Sequence, residues 1–109
     1  MANRLFIDDL RDPPGNGIWT VVRTSAAAIE HLESEGCPSL ISFDHDLGGD
    51  DTAMAVVHFL IGQDLDEPGF IPPMFDFVVH SANPIGAENI EKTLRRYLEH
   101  RAEEAARRP

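Results

Sequence analysis

The sequence lacks the features that would place it in several large protein classes. Among its 109 residues there is one cysteine, Cys37, so the chain forms no internal disulfide and no multi-cysteine metal site. Its longest apolar stretch, Ala53–Ile61, contains His58 and is far shorter than the ~20 residues that span a bilayer. The apolar run near the N-terminus is too short for a signal peptide. We therefore expect a cytoplasmic protein that does not bind a membrane.

Basic residues are also scarce. Nine Lys and Arg stand against nineteen Asp and Glu, which gives a formal net charge of −10. A long nucleic-acid duplex is not an expected partner, because contacts to phosphates need Lys or Arg. The charge is uneven, since residues 92–109 hold six basic and three acidic groups. This segment is typical of a solvated helix, and the alternative is a homodimer formed through the C-terminal helix.

Several familiar motifs are missing as well. The chain contains no Gly-x-Gly-x-x-Gly, no Gly-x-Ser-x-Gly and no His-Glu-x-x-His pattern. The turn at Leu47-Gly48-Gly49 lacks the Gly-Lys-Ser/Thr core of a phosphate-binding P-loop. A prediction of function therefore depends on side chains that separate segments contribute.

The sequence does contain a regular alternation of strand and helix patterns. Short apolar runs predict strands at residues 5–7, 19–23, 40–43 and 75–79. Capping residues and apolar stripes predict helices from 24 or 25 to 35, from 51 or 52 to 61, and from 83 to about 106. Proline and glycine predict loops at 11–17 and 63–73.

This order of elements predicts an α/β protein with a four-stranded parallel sheet. We predict the strand order 2-1-3-4 in a truncated flavodoxin-like fold of three layers, with helices on both faces of the sheet. The length fits one compact domain over residues 1–109.

Polar residues follow three of the four predicted strands. Asp8 and Asp9 follow the first strand, Asp44 and His45 follow the third, and His80 follows the fourth. Ligands of open α/β sheets bind outside the carboxyl ends of the strands. We therefore expect these side chains to converge on one edge of the sheet.

The acidic residues at this edge need something that offsets their repulsion. Two like charges ~4 Å apart repel by ~4 kcal/mol at an effective dielectric of about 20. A shared proton, side chains that fan into solvent, or a divalent cation would relieve that repulsion. Oxygen ligands favour Mg²⁺ or Ca²⁺, and an added histidine favours Mn²⁺, Zn²⁺ or iron. We predict Mg²⁺ or Mn²⁺ on Asp8, Asp9 and Asp44.

His45 and His80 are candidates for proton transfer. Two histidines can divide general-base and general-acid work near neutral pH, and Asp46, beside His45, is the third candidate catalytic residue. A purely structural hydrogen bond is the alternative for each histidine.

The segment before the last helix is a candidate phosphate site. The free N–H groups and the positive dipole end of a helix N-terminus attract anions. We predict that Ser81, Asn83 and Gly86 bind phosphate, with Gly86 allowing the ligand to approach the backbone. Capping of the helix by Asn83 is expected in either case.

Some of these residues occur in a pattern that resembles the response-regulator receiver domain. The pattern consists of the pair Asp8-Asp9, the Asp44 that ends the central strand, and Ser81-Ala82. The resemblance implies that the acids bind Mg²⁺, that Asp44 accepts a phosphoryl group, and that Ser81 contacts it.

The sequence departs from the receiver pattern in three ways. The loop 11–17 replaces the first helix, and no fifth strand with its phosphate-binding lysine follows. His45 and His80 stand where receivers usually carry apolar residues. These departures argue against ordinary phosphorelay, because the missing lysine and strand sense and transmit phosphorylation in receivers.

Three longer motifs together resemble a closer group, the receiver-like cyclic-phosphate processing domains of bacteria and their phages. They are Leu-Phe-Ile-Asp-Asp-Leu-Arg-Asp-Pro at 5–13, Ser-Phe-Asp-His-Asp-Leu-Gly at 42–48 and His-Ser-Ala-Asn-Pro-Ile-Gly at 80–86. The resemblance implies a receiver-like fold and an activity on cyclic phosphate in nucleotides or RNA ends.

We therefore expect a metal-assisted phosphoesterase that opens a cyclic phosphate. Its partner would be a small phosphorylated ligand, either a cyclic nucleotide or an RNA 2′,3′-cyclic end. The alternative is a non-catalytic receiver-like module for signalling or nucleotide binding, which is phosphorylated on Asp44 in the signalling case.

Overall fold

The computed structural model describes residues 4–15 and 18–107. In chain order the elements are β1 (Arg4–Ile7), β2 (Thr20–Val22), α1 (Ser25–Glu35), β3 (Leu40–Phe43), α2 (Met54–Asp66), β4 (Asp76–Val79) and α3 (Pro84–Arg107). Every predicted strand and helix is present. The predicted loop 11–17 includes residues 16 and 17, which lie outside the described residues.

The four strands are all parallel, and their order β2-β1-β3-β4 confirms the predicted one. The flavodoxin-like, receiver-like α/β class is confirmed with it. The register places Leu5 beside Ile41 and Ile41 beside Phe77, so these three side chains share one face of the sheet. Together with apolar residues of the helices they form the hydrophobic core.

The helices lie on one face of the sheet, which corrects the predicted three layers. The connections from β2 to β3 and from β3 to β4 run in the same direction, so right-handed crossovers place α1 and α2 on the same side. Along this side α1 contacts α2, and α2 contacts α3. The connection from β1 to β2 runs the other way, and its described residues form no helix to cover the second face.

The second face of the sheet is therefore covered only in part. Phe6, Ser42 and Val78 occupy neighbouring register positions on this face. Trp19 packs edge-on against Phe6 with 5.7 Å between the ring centroids, and Phe6 is buried. Val78 keeps 48% of its surface exposed. The covered part of this face therefore lies around Phe6, and the part around Val78 is exposed.

Helix α2 ends later than the sequence predicted. It continues through Gly62 to Asp66, because a glycine at an exposed helix position costs only about 1 kcal/mol. In the next turn Asp64 is buried and accepts hydrogen bonds from the Tyr97 hydroxyl at 2.6 Å and from Arg101 Nη1 at 3.3 Å. These bonds to α3 stabilise the last turn of α2, so the predicted loop 63–73 begins after Asp66.

The start of α2 also differs from the prediction. Asp51 was a candidate cap, but its carboxylate accepts hydrogen bonds from the N–H and the hydroxyl of Ser25 at the start of α1. The residue at the cap position is Ala53, which has no side-chain acceptor. Helix α1 matches its prediction, since Thr24 caps it with a 3.0 Å bond from the N–H of Ala27.

Helix α3 is the longest element, with 24 residues. It buries Ile90 and Leu94 and packs against α2 and β4. Charged side chains cover much of its remaining surface. Within the described ranges, no helix has both the length and the apolar character that crossing a membrane requires.

Candidate functional site

The carboxyl edge of the sheet fixes the backbone of the residues that follow its strands. The parallel hydrogen-bond ladder continues one residue beyond three of them. The N–H of Asp8 donates to the last carbonyl of β2 at 3.1 Å, and the N–H of Asp44 donates to the last carbonyl of β1 at 2.9 Å. The N–H of His80 donates to the last carbonyl of β3 at 2.9 Å. The sheet therefore positions these three side chains relative to one another.

Three of the predicted acids come together at this edge. One carboxylate oxygen from each of Asp8, Asp9 and Asp44 lies within 4.8 Å of the other two. Asp8 and Asp44 are buried, and Asp9 is half-buried. Three carboxylates at this spacing form an all-oxygen ligand set, which fits Mg²⁺ or Mn²⁺. The acidic cluster can therefore hold the divalent cation that the sequence predicts.

Asp8 uses both of its carboxylate oxygens. Oδ1 accepts hydrogen bonds from the N–H groups of Leu10 and Arg11, each at 2.9 Å. Oδ2 lies 3.0 Å from Nε2 of His80 and 3.1 Å from Nε of Arg11. Burial alone would raise the pKa of Asp8, but the hydrogen bonds and the Arg11 charge outweigh it and lower that pKa. Asp8 is thus ionised, and it accepts three hydrogen bonds in addition to its ion pair with Arg11.

His80 is held between two strands other than its own. Its Nε2 faces Asp8, its Nδ1 lies 2.7 Å from the Ser42 hydroxyl, and its ring stacks on Phe6 with 4.6 Å between the centroids. Because an ionised carboxylate only accepts hydrogen bonds, Nε2–H is the donor to Asp8. In the neutral imidazole Nδ1 then accepts a hydrogen bond from the Ser42 hydroxyl. Both ring nitrogens are therefore engaged.

The guanidinium of Arg11 lies beside the acidic cluster. Nε is 3.1 Å from Asp8 Oδ2, and Nη2 is 3.8 Å from Asp44 Oδ2. The Arg11 side chain is 54% exposed. The backbone beneath it is anchored, because Arg23 donates to the carbonyl of Arg11 at 2.6 Å and to the carbonyl of Asp8 at 3.2 Å. A fixed loop thus carries a cationic side chain that solvent can reach.

His45 and Asp46 form a second pair at the end of β3. Nδ1 of His45 lies 2.9 Å from Asp46 Oδ1, so Nδ1–H donates to the carboxylate and the neutral ring carries its lone pair on Nε2. The hydrogen bonds from His45 and Asn83 lower the pKa of the exposed Asp46 carboxyl. Nδ2 of Asn83 donates to Asp46 Oδ2 at 3.2 Å. The loop after β3 is therefore tied to the start of α3.

Asn83 caps α3, as expected. Its Oδ1 accepts the N–H of Gly86 at 3.0 Å, and its own N–H donates to Ser81 Oγ at 3.1 Å. Gly86 itself faces the ring of His45, since a Cβ built on this glycine would lie 2.4 Å from His45 Cγ. The space in front of Gly86 is thus filled, and phosphate binding by this residue stays a prediction.

A cleft of about 360 Å³ opens at this edge of the sheet. Its lining brings together five of the predicted site residues and one further cation: Asp9, Asp44, Asp46, Ser81, Asn83 and Arg11. Asp8 joins them through the acidic cluster. His45, His80 and Gly86 lie at the same edge but are not among the residues that line the cleft. A larger cavity of about 480 Å³ borders the C-terminal half of α3 and is lined by residues such as Arg101 and Ala105.

Sequence reasoning missed two members of this site. Arg11 was assigned only to a loop, although its position three residues after Asp8 allows the turn in which both its N–H and its guanidinium reach that carboxylate. Ser42 was read as part of an apolar strand. A hydroxyl at a buried strand position needs a partner, and that was the available signal for its bond to His80.

One comparison with known proteins identifies a family. The family model described as the cyclic-phosphate processing receiver domain matches residues 3–96. No curated protein and no solved structure matches the chain. The matched segment contains the entire edge described above and most of the chain. The protein therefore belongs to the cyclic-phosphate processing receiver domain family.

Proposed function

We propose that this domain is a metal-assisted phosphoesterase that opens a cyclic phosphate in a nucleotide or at an RNA end. The main support is one juxtaposition: three carboxylate oxygens lie within 4.8 Å of one another, and two of these acids, Asp9 and Asp44, line a cleft together with Ser81 and Asn83. A divalent cation bound by Asp8, Asp9 and Asp44 would supply charge that screens the phosphate from the acids. An acidic protein can thus bind one small phosphate.

Other residues at this edge of the sheet can supply the proton transfer and the contacts to the phosphate oxygens. Hydrolysis adds a water oxygen to phosphorus and breaks one bond from phosphorus to a ribose oxygen, which takes up a proton. We assign the proton transfer to His45, whose Nδ1–H donates to Asp46 and whose Nε2 carries the lone pair of the neutral ring. Ser81 Oγ and the Asn83 side chain would bind non-bridging phosphate oxygens.

His80 has a different environment. Because its two nitrogens bond to Ser42 and Asp8, the contacts favour a role in orienting Asp8. Its predicted part in proton transfer stays a prediction.

The test is an assay of 2′,3′-cyclic nucleotides and cyclic dinucleotides with Mg²⁺ or Mn²⁺. We expect metal-dependent turnover by the wild type, and a loss of about 10²–10⁴-fold for His45→Ala, as for other proton-transfer groups. His58→Ala is the matched control, because His58 is exposed on α2, away from the site. Equal rates for wild type and His45→Ala would remove His45 from the mechanism. Absence of turnover with every substrate and metal would contradict the phosphoesterase proposal.

A second candidate is a non-catalytic module that becomes phosphorylated on Asp44. The observation that favours it is the position of Asp44, which directly follows the central strand β3 and lines the cleft. Incubation with acetyl phosphate and Mg²⁺ distinguishes the two. Stable labelling that Asp44→Asn abolishes, without turnover of cyclic phosphates, would support this second candidate. Recovery of an intact, tightly bound nucleotide would instead indicate a nucleotide-binding module.

A further inference from the structure

The carboxylate of Asp8 presents a problem for cation binding. It accepts hydrogen bonds from the N–H groups of Leu10 and Arg11 and from His80, and the Arg11 guanidinium forms an ion pair with Oδ2 at 3.1 Å. A cation that uses Asp8 therefore competes with these four groups. Which of them leaves decides how the site changes when the cation binds.

Only one of the four groups around the Asp8 carboxylate is easy to remove. The N–H groups of Leu10 and Arg11 belong to a backbone turn that Arg23 anchors through two carbonyls. His80 is restrained by its bond to Ser42 and by its stacking on Phe6. The Arg11 guanidinium is half exposed, and its second contact, to Asp44, is 3.8 Å long. Solvent therefore reaches both ion pairs from the arginine side, although the two carboxylates are buried.

The released guanidinium would remain at the cleft. Among the described residues that line it, Arg11 is the one Lys or Arg, and three aspartates line the same space. A planar guanidinium binds phosphate oxygens through two parallel hydrogen bonds. Ser81 and Asn83 line the same cleft, so it offers a phosphate two neutral hydrogen-bonding side chains besides the guanidinium.

We propose that Arg11 exchanges partners: it neutralises Asp8 and Asp44 when no cation is bound, and it binds the substrate phosphate once a divalent cation has displaced it. Arg11 is thus a competitor of the cation and a ligand of the phosphate at the same site. This inference rests on the proposed function, and it adds a specificity-determining residue to it.

The two roles predict opposite effects of one substitution. Arg11→Gln removes the competing charge, so the affinity for Mg²⁺, or for Mn²⁺ followed by electron paramagnetic resonance, should rise about threefold or more. The affinity of the Mg²⁺-saturated protein for inorganic phosphate should fall about tenfold. Arg96→Gln is the matched control, because Arg96 is exposed on α3 and its loss changes the net charge equally. It should leave both affinities near those of the wild type.

The outcomes separate this inference from the proposed function. Equal Mg²⁺ affinity in wild type and Arg11→Gln, or a parallel fall of both affinities in Arg11→Gln, would overturn the exchange and leave the phosphoesterase proposal standing. Binding of neither Mg²⁺ nor Mn²⁺ by wild type and by Arg11→Gln would overturn both. Matching thermal unfolding curves for the three proteins would exclude a folding defect as the cause.

Discussion

Nε2 of His80 lies 3.0 Å from Oδ2 of Asp8, although 72 positions of sequence separate the two residues. Strands β1 and β4 are not neighbours, so the imidazole reaches across the end of β3. The Ser42 hydroxyl, from that middle strand, forms a hydrogen bond with the other ring nitrogen, and the Phe6 ring stacks on the imidazole. The orientation of an acid predicted to bind metal thus depends on residues of β1 and β3 and on the residue that follows β4.

This relationship predicts that two substitutions of His80 differ in effect. The amide nitrogen of Gln can stand near the place of Nε2, whereas that of Asn stands near Nδ1. His80→Gln should keep the donor to Asp8 and retain Mg²⁺ affinity, and His80→Asn should lose it and bind Mg²⁺ about 10–100-fold more weakly. Titration calorimetry with Mg²⁺ measures both. Equal affinities in the two variants would contradict a positioning role for His80.

The contact between His45 and Gly86 predicts a second pair of opposite effects. A Cβ at Gly86 would lie within 2.8 Å of three atoms of the His45 ring, so Gly86→Ala should lower the free energy of unfolding by about 1–3 kcal/mol. Gly62 lies at an exposed position in the middle of α2, and a Cβ built on it would have no other atom within 4 Å. Gly62→Ala should therefore stabilise the protein by about 0.5–1 kcal/mol.

Chemical denaturation of the two alanine variants measures both effects. A double-mutant cycle supplies the control, because in the His45→Ala background the Gly86→Ala substitution should cost much less. An undiminished cost in that background would show that the His45 ring is not the obstacle.

The sequence allowed the strand order and the acidic cluster to be predicted because both follow from local patterns. Apolar runs that end in Asp8 and Asp44 define parallel strands, and parallel strands bring their ends to one edge. The end of α2 did not follow from local pattern, since Asp64 is fixed by partners 33 and 37 residues away. The layer count failed for a similar reason. The handedness of each crossover gives the side of each helix, and the described residues between β1 and β2 form no helix, so one side of the sheet is covered only in part.

The two-layer arrangement predicts a sharp contrast between adjacent residues of β4. Phe77 faces the core, where it is buried, and Val78 faces the partly covered side. Phe77→Ala should lower the free energy of unfolding by about 3–5 kcal/mol. Val78→Thr should change it by no more than about 0.5 kcal/mol. Urea denaturation of the two variants measures the difference, and a large cost for Val78→Thr would mean that something in the folded domain covers this face.

Asp64 predicts how the stability of the domain depends on pH. Burial would raise the pKa of Asp64, but the Tyr97 hydroxyl, the N–H of Ile71 and the Arg101 guanidinium outweigh it and lower that pKa below its usual value. A carboxyl whose pKa is lowered by folding stabilises the protein fully above its unfolded pKa. That contribution is lost as the pH falls below about 4 and passes through the folded pKa.

Asp64→Asn should therefore be less stable than the wild type by about 2–4 kcal/mol near neutral pH, since it removes a buried charge from its partners. The difference should shrink as the pH falls below about 4, because the wild-type carboxyl is then protonated. Tyr97→Phe is the control: it keeps the carboxylate and Arg101, so it should lose about 1 kcal/mol and retain much of the acid dependence. A difference in the free energy of unfolding between wild type and Asp64→Asn that stays constant from neutral pH down to acid unfolding would contradict this prediction. The carboxylate of Asp64 would then contribute to the structure only as a hydrogen-bond acceptor that an amide replaces.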